Sequence, residues 1–529
     1  MIRISNIKLS LDSKEDIIKV KILKKLKINE NELIKYTIFK QSLDARKKNN
    51  IHFIYIVDVL VKNEKKLLNK IKDKDITITP DYSYKYQSGK VILKNNPIIV
   101  GFGPSVLFCA LIMAELGLKP IVFERGEDID TRKKSVKKFW NTGILNTESN
   151  VQFGEGGAGT FSDGKLTTRI KNSRCRKVLE EFVKAGAPED ILYSYSPHIG
   201  TDILSDVVKN IREKIKSLGG QVFFNSKLTD IIIKENKIRG IKINDNFVET
   251  ENLILAIGHS ARDTFEMIYK NKIDIEQKPF AMGLRIEHKQ KSINFSQYGD
   301  ENLANLIGAA NYKLTYTTKK GRGVYTFCMC PGGYVVASSS EKNHLCINGM
   351  SYHSRSGENS NSALLVQIFP QDFESDHPLA GMYLQREIEK KAFINGGGNY
   401  NAPTQLLGDF LNKKVSKSFK DIKPTYKPDV KFSDMDNIFP EFMTEALREA
   451  IIEMGKKLKG FDYENAVLTA VEARSSSPIR ILRDNETLES IKINGLYPAG
   501  EGAGYAGGII SAAVDGIMIA EKVFEKNKI

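Results

Sequence analysis

The chain has 529 residues, too many for one ordinary hydrophobic core, so two or three domains are expected. Hydrophobic residues at 41% and charged residues at 27% exclude a disordered chain, and five scattered cysteines (109, 175, 328, 330, 346) exclude a disulfide framework and fit reduced thiols in the cytoplasm. The net charge of +15 is spread over a chain rich in Lys, Ile and Asn; it reads as solvated surface and disfavours a nucleic-acid partner, although 131–138, 317–323 and 412–423 are locally basic.

Residues 1–94 read as a small α+β module. A strand is expected over Ile2–Leu9, a helix over 14–26, a polar helical stretch over 30–40, a strand over 52–61 and a helix over Glu64–Lys72. Met1–Asp16 is charged and lacks the apolar segment of a signal peptide. After a polar link at Pro80–Asn96, the stretch PIIVGFGPSVLFCALIMAELGLKPIVFERG (97–126) predicts strand, glycine turn, helix and strand. Asn95–Ala114 is free of charge, but Gly101, Gly103 and Pro104 interrupt it, so a strand and a buried helix are expected there, not a membrane span.

Helices follow at 131–140, 173–186 and 201–218, the last capped by Thr201 or Asp202. Residues 219–258 predict three or four strands ending in LILAIG. From about 262 short strands recur at 280–288, 323–330, 334–339 and 345–352. A helix over 378–395, an irregular segment over 396–430 and helices over 440–458 come next. GLYPAGE (495–501) is a last strand and turn, and Gly508–Lys526 a final helix.

Three glycine loops compete as a nucleotide site. In 97–126, Gly101 allows a tight turn, Gly103 lets backbone approach a pyrophosphate, and the helix start offers free N–H groups, with Ser105 in the first turn. Glu124 ends the second strand, placed to accept hydrogen bonds from ribose hydroxyls and to disfavour a 2′-phosphate. Val106 stands where the fingerprint has its third glycine. GEGGAG (154–159) matches the printed pattern but lacks a full strand before it and an apolar helix after it, so it reads as a ligand-hugging loop with Thr160, Asp163 and Lys165 as polar groups. GAGYAG (502–507) follows a strand and precedes a helix with no second strand after it; it aims a helix N-terminus at a phosphate or a ring carbonyl.

The ordered trio of loops resembles the FAD-dependent oxidoreductases of the glutathione-reductase-like superfamily. With EGGAGTFSDGKLTTR, PHIGTD, AIGHSARDT, RGVYTFCMCPGGYVV, NGMSYHSRSGENSNSALLV and GLYPAGEGAGYAGGI, the chain is similar over nearly its whole length to the family of uncharacterised FAD-dependent dehydrogenases. The resemblance implies an α/β fold: a Rossmann-like, three-layer ββα FAD-binding domain at 95–261 and 431–529, an inserted β-rich substrate domain at 262–430 and the module at 1–94.

It also implies roles for residues. Gly101, Gly103, Pro104 and Ser105 contact the FAD pyrophosphate, and Glu124 the ribose with Arg125 beside it. Gly156, Gly157, Thr160, Asp163, Lys165 and Leu166 run along the pyrophosphate, ribityl chain or flavin. Leu228 offers backbone to adenine, and Gly258 lies near the adenosine. Gly500 and Glu501 stand by the ribityl chain, with Gly502, Ala503, Gly508 and Ile509 by the isoalloxazine. No second strand–glycine–helix unit offers a dedicated nicotinamide domain, so NAD(P)H is expected only as a transient electron donor.

For substrate work the densest polar segment is 348–361. There Arg355 suits an anionic small-molecule substrate, and His353 or Tyr352 a proton transfer. Cys328 and Cys330, two apart on a strand, share a face and read as buried apolar-like cysteines rather than a redox pair. No cluster has metal-ligand spacing. The expected function is hydride transfer between flavin and an unidentified substrate. A flavin-dependent RNA-modifying enzyme and a non-catalytic flavin-binding protein stay open as alternatives.

Overall fold

The computed structural model describes all residues except 14, 15 and 49. The N-terminal module comprises β1 (Ile2–Ser10), α1 (Asp16–Leu26), β2 (Leu33–Asp44), β3 (His52–Val61), α2 (Glu64–Lys70) and β4 (Ile76–Ile78). Its sheet has the order β2-β3-β1-β4 with every neighbour antiparallel, which is the β-α-β-β-α-β topology of ferredoxin-like folds. The start of the helix expected over 14–26 lies partly outside the described residues. The helix expected over 30–40 is instead β2, which pairs with β3 along its length. Its run of β-branched and aromatic residues, LIKYTIFK, favours a pleated surface despite its lysines.

The second unit carries β5 (Ile98–Val100), α3 (Pro104–Glu115), β6 (Ile121–Phe123), α4 (Ile129–Thr142), α5 (Arg174–Lys184), α6 (Thr201–Ser217) and β7 (Gln221–Phe223). β8 (Leu228–Lys234), β9 (Lys237–Ile243) and β10 (Asn246–Glu249) form a separate three-stranded antiparallel sheet, and β11 (Leu253–Leu255) returns to the first. Residues 219–258 therefore hold five strands in two sheets, not three or four. Gly200 is the N-cap of α6 and neither Thr201 nor Asp202 caps it. Their side chains tie loops together: the Thr201 hydroxyl donates to the Thr160 carbonyl, and Asp202 accepts from the His353 N–H at 2.9 Å.

The third unit holds α7 (Arg262–Lys270), β12 (Ile275–Gln277), β13 (Phe280–Lys289), α8 (Gln290–Tyr298), α9 (Ala304–Ile307), β14 (Thr315–Thr317) and β15 (Gly323–Cys330). β16 (Tyr334–Ala337), β17 (Ile347–Met350), β18 (Asn359–Ile368), α10 (Ala380–Asn395), β19 (Ala402–Leu406), α11 (Leu407–Leu411), β20 (Val430–Phe432), α12 (Glu441–Lys457) and β21 (Val467–Glu472) follow. Seven of these strands form one sheet in the order β14-β15-β18-β13-β21-β19-β20. Residues 431–472, expected with the nucleotide-binding half, belong here: β21 pairs with β13, and α12 packs its Met443, Leu447 and Met454 into the same core. β18 runs through a segment that reads as a polar loop. Its buried asparagines find partners across the sheet, Asn359 donating to Glu287 and Asn361 accepting from Arg285.

β22 (Ile479–Ile481), β23 (Leu496–Pro498) and α13 (Ile509–Asn527) complete the chain. β23 closes a five-stranded parallel sheet of order β23-β11-β5-β6-β7. α3 and α13 pack on one face of it and the three-stranded sheet lies on the other, which gives the expected three layers. Val106 does not push α3 away. It is fully buried in the apolar core, and the close helix approach is made at Gly516 of α13, where a Cβ would lie 2.0 Å from the Ser105 carbonyl oxygen. Among the described residues no helix is long and apolar enough to cross a membrane.

Candidate functional site

The C-terminal ends of β5, β6, β11 and β23 meet the seven-stranded sheet at a cavity of about 680 Å³, a size suited to a small-molecule or cofactor site. Gly103 is the N-cap of α3 and Pro104 its first residue; Gly508 is the N-cap of α13. Both helix starts line the cavity and bring unpaired N–H groups and positive dipole ends to it. Gly101 holds φ +104°, and a Cβ on it would lie 2.4 Å from the Ala256 carbonyl oxygen. A Cβ on Gly103 would meet nothing within 4 Å, because it faces the cavity. The Ser105 hydroxyl is buried there without a protein partner.

Glu124 is pinned at the cavity wall: its Oε1 accepts from the N–H groups of Gly126 (2.9 Å) and Gly154 (2.8 Å). Arg125 also lines the cavity, but its guanidinium is engaged by Glu148 and Asp263 and lies over the Phe153 ring. The GEGGAG loop folds over the start of α3. Gly156 N–H donates to Phe102 O, and a Cβ on Gly157 would come within 3.0 Å of Gly103 Cα. Gly157, Lys165, Leu228 and Gly258 line the cavity, as do Gly500, Glu501, Gly508 and Ile509.

Six expected cofactor contacts lie behind the wall. Gly156 and Thr160 shape the loop; Leu166 and Ala503 are core residues; Gly502 packs on the Gly258 backbone. Asp163 is fully buried and bound by both arms of Arg355, at 3.0 and 2.5 Å. Burial would raise its carboxyl, but Lys165 and Arg355 outweigh this and hold it well below the usual carboxylate range.

None of the three catalytic candidates lines the cavity. Arg355 is spent on Asp163. His353 stacks on His198 with ring centres 5.0 Å apart, its Nδ1 within 3.0 Å of Ile199 O, and exposed Tyr352 packs edge-on to Tyr334. The segment is a brace that ties itself to Asp163 and to residues 198–202. Its partners lie over 150 residues away, which a local reading does not see.

Sequence reasoning missed Cys328, Tyr195 and Lys313 as cavity walls. Cys328 and Cys330 do not share a face: φ at Cys328 is +42°, Cys330 is buried and Cys328 faces the cavity. Glu472 and Arg474 reach the wall too, but both are locked in buried ion pairs, with Arg285 (2.8 Å) and Glu389 (2.7 Å). Burial pushes the Glu501 carboxyl up to about 7, against the pull of Lys278. Burial, with Arg474 and Arg262 nearby, pushes His259 down to about 3, so this cavity-lining imidazole is neutral.

A parallel sheet with a glycine turn, a helix N-terminus and a terminal acid, joined to a β-rich domain across one cavity, defines a dinucleotide-binding α/β protein. The orphaned Ser105 hydroxyl, the open space at Gly103 and the second helix start fit the diphosphate and flavin of FAD. Residues 279–475 match the family described as FAD-dependent protein, C-terminal domain-like, and residues 1–60 match a domain of unknown function. A protein of Clostridium beijerinckii described as uncharacterized is 52% identical over 527 residues, 99% of each chain.

The chain belongs to one family with that clostridial protein, and FAD is its cofactor. Among solved structures, glycine oxidase from Bacillus cereus is similar over 82% of this chain and 98% of its own, at 11% identity and a TM-score of 0.32. L-Proline dehydrogenase from P. horikoshii is similar over 82% and 95%, at 13% identity and a TM-score of 0.33. Scores of this size carry no argument about chemistry.

Proposed function

We propose that the protein is a cytoplasmic FAD-dependent oxidoreductase of the glutathione-reductase-like type, acting on a small-molecule substrate by hydride transfer. The observation that carries this reading is that one cavity joins two helix N-termini and a pinned acid to the face of a separate β-rich domain. Bound FAD supplies the hydride chemistry; the chain's residues bind, orient and shield.

The N–H groups at the start of α3, with the Ser105 hydroxyl, receive the pyrophosphate. Glu124, its Oε1 fixed by two backbone donors, presents a carboxylate to the ribose hydroxyls. Gly508 and Ile509, at the start of α13 on the cavity wall, would help hold the flavin. Glu501, raised to about 7, holds or releases a proton near neutral pH. Lys313, with Lys165 beside Asp163, lines the cavity and would suit an anionic substrate, and NAD(P)H would serve as a transient electron donor.

Anaerobic mixing of the flavin-bearing protein with NADH or NADPH tests the redox role. Bleaching of the flavin by one of them is expected. A bound flavin that no reductant bleaches, dithionite included, would contradict the reading.

A further inference from the structure

β15 does not run straight past the cavity. Its ladder with β18 pairs Phe327 with Ala363 and Cys330 with Asn361, three residues against two, and the extra residue makes a bulge in which Cys328 turns to positive φ. A straight strand holds residues i and i+2 about 6.6 Å apart, near the long limit of about 6.8 Å between the Cα atoms of a disulfide. The bulge bends the strand over this interval.

Cys328 then lines the cavity, while Cys330, fully buried behind it, donates its Sγ–H to the Cys328 carbonyl at 3.2 Å. Two cations hold the same three residues. Lys165 Nζ donates to Met329 O, and Arg285 Nη1 donates to Cys328 O at 3.2 Å and lies 4.0 Å from Cys330 Sγ. The neighbouring Cys330, with Lys165 and Arg285 close by, draws the Cys328 thiol below its ordinary range, and the same closeness pushes Cys330 up. The neighbouring acids Asp163 and Glu472 are already neutralised by Arg355 and Arg285. A thiolate-prone Cys328 at the cavity wall and the Cys330 thiol buried behind it thus stand with one residue between them.

We propose that Cys328 and Cys330 form a dithiol–disulfide couple that exchanges an electron pair with the flavin. This rests on the FAD reading above. In the oxidising direction the two sulfurs join in an S–S bond and the S–H bond of Cys330 breaks. Its proton and the two electrons pass to oxidised FAD, which becomes FADH⁻, so atoms and charge balance. The reverse reaction reopens the bond. The couple lets the protein hold one electron pair beyond that carried by FAD.

The test uses the flavin-bearing full chain, oxidised with ferricyanide, freed of it and titrated anaerobically with dithionite. Thiols are counted in denaturant before and after. The wild type should take up about four electrons per flavin, two for each couple, with the count rising from about three to all five cysteines. Cys330→Ser should take up about two electrons, with a constant thiol count. A wild type that takes up two electrons while all its thiols stay free overturns the couple and leaves the FAD reading standing. A protein that binds no flavin overturns both.

Discussion

Gly101 and Gly103 sit two apart in one turn and do different work. Gly101 is required by the fold: its positive φ and the Ala256 carbonyl 2.4 Å from a would-be Cβ leave no room for a side chain. Gly103 is not required by the fold: its would-be Cβ meets nothing within 4 Å and faces the cavity where we propose that FAD binds. Gly101→Ala should therefore destabilise the apoprotein by roughly 3 kcal/mol, from overpacking and backbone strain together. Gly103→Ala should leave apoprotein stability within about 0.5 kcal/mol yet weaken FAD binding on the order of a hundredfold, because its methyl occupies the place of the pyrophosphate. Thermal melts and flavin titrations of the two variants check this; equal loss of stability would contradict it. The placement of Gly101, Gly103 and Glu124 at the cavity was legible because it depends on one local strand–turn–helix. The brace made by His353 and Arg355 was not, because what decides their role is a partner far along the chain.

At the scale of elements, α10 ties α7 to the end of β21. Its Glu389 is fully buried and accepts from Arg262 of α7 and from Arg474 just after β21. Burial would raise this carboxyl, but the two arginines more than offset it and hold it well below the ordinary range. A depressed folded pKa stabilises the protein above the unfolded value of about 4.3, and this contribution is lost as pH falls through the folded value. Glu389→Gln should thus cost about 3–5 kcal/mol at neutral pH by leaving two buried guanidinium groups uncompensated. Urea melts across pH should show the gap to wild type narrowing below about pH 4; a gap that stays constant would show that the charge of Glu389 is not what matters. α6, with its clear apolar period, and the continuous buried runs of α3 and β13 were readable from sequence. β2 and β18 were not: lysines mask the alternation in β2, and buried asparagines, satisfied only across the sheet, disguise β18 as a loop.

For the whole molecule, the sequence divided the chain at residue 430, where an irregular segment ends and helices are expected to resume. The sheet ignores that point, because β21 crosses back to pair with β13, and a pairing of such long range leaves no local mark. The ferredoxin-like module packs against the cavity wall: Phe53 lies 6.1 Å from the ring of Tyr195, which lines the cavity, and Gln41 N–H donates to Tyr193 O. Part of its sheet is also covered, with Arg3 paired to Asp58 and lying over Phe39, which stacks on Tyr82. The three glycine loops, separate along the chain, thus serve one cavity. The direct test is the absorbance spectrum of the purified chain and its flavin content after denaturation. The account predicts a yellow protein that carries, or takes up on addition, about one FAD per chain, released intact on unfolding. A colourless protein that gains no flavin absorbance after incubation with FAD would contradict it.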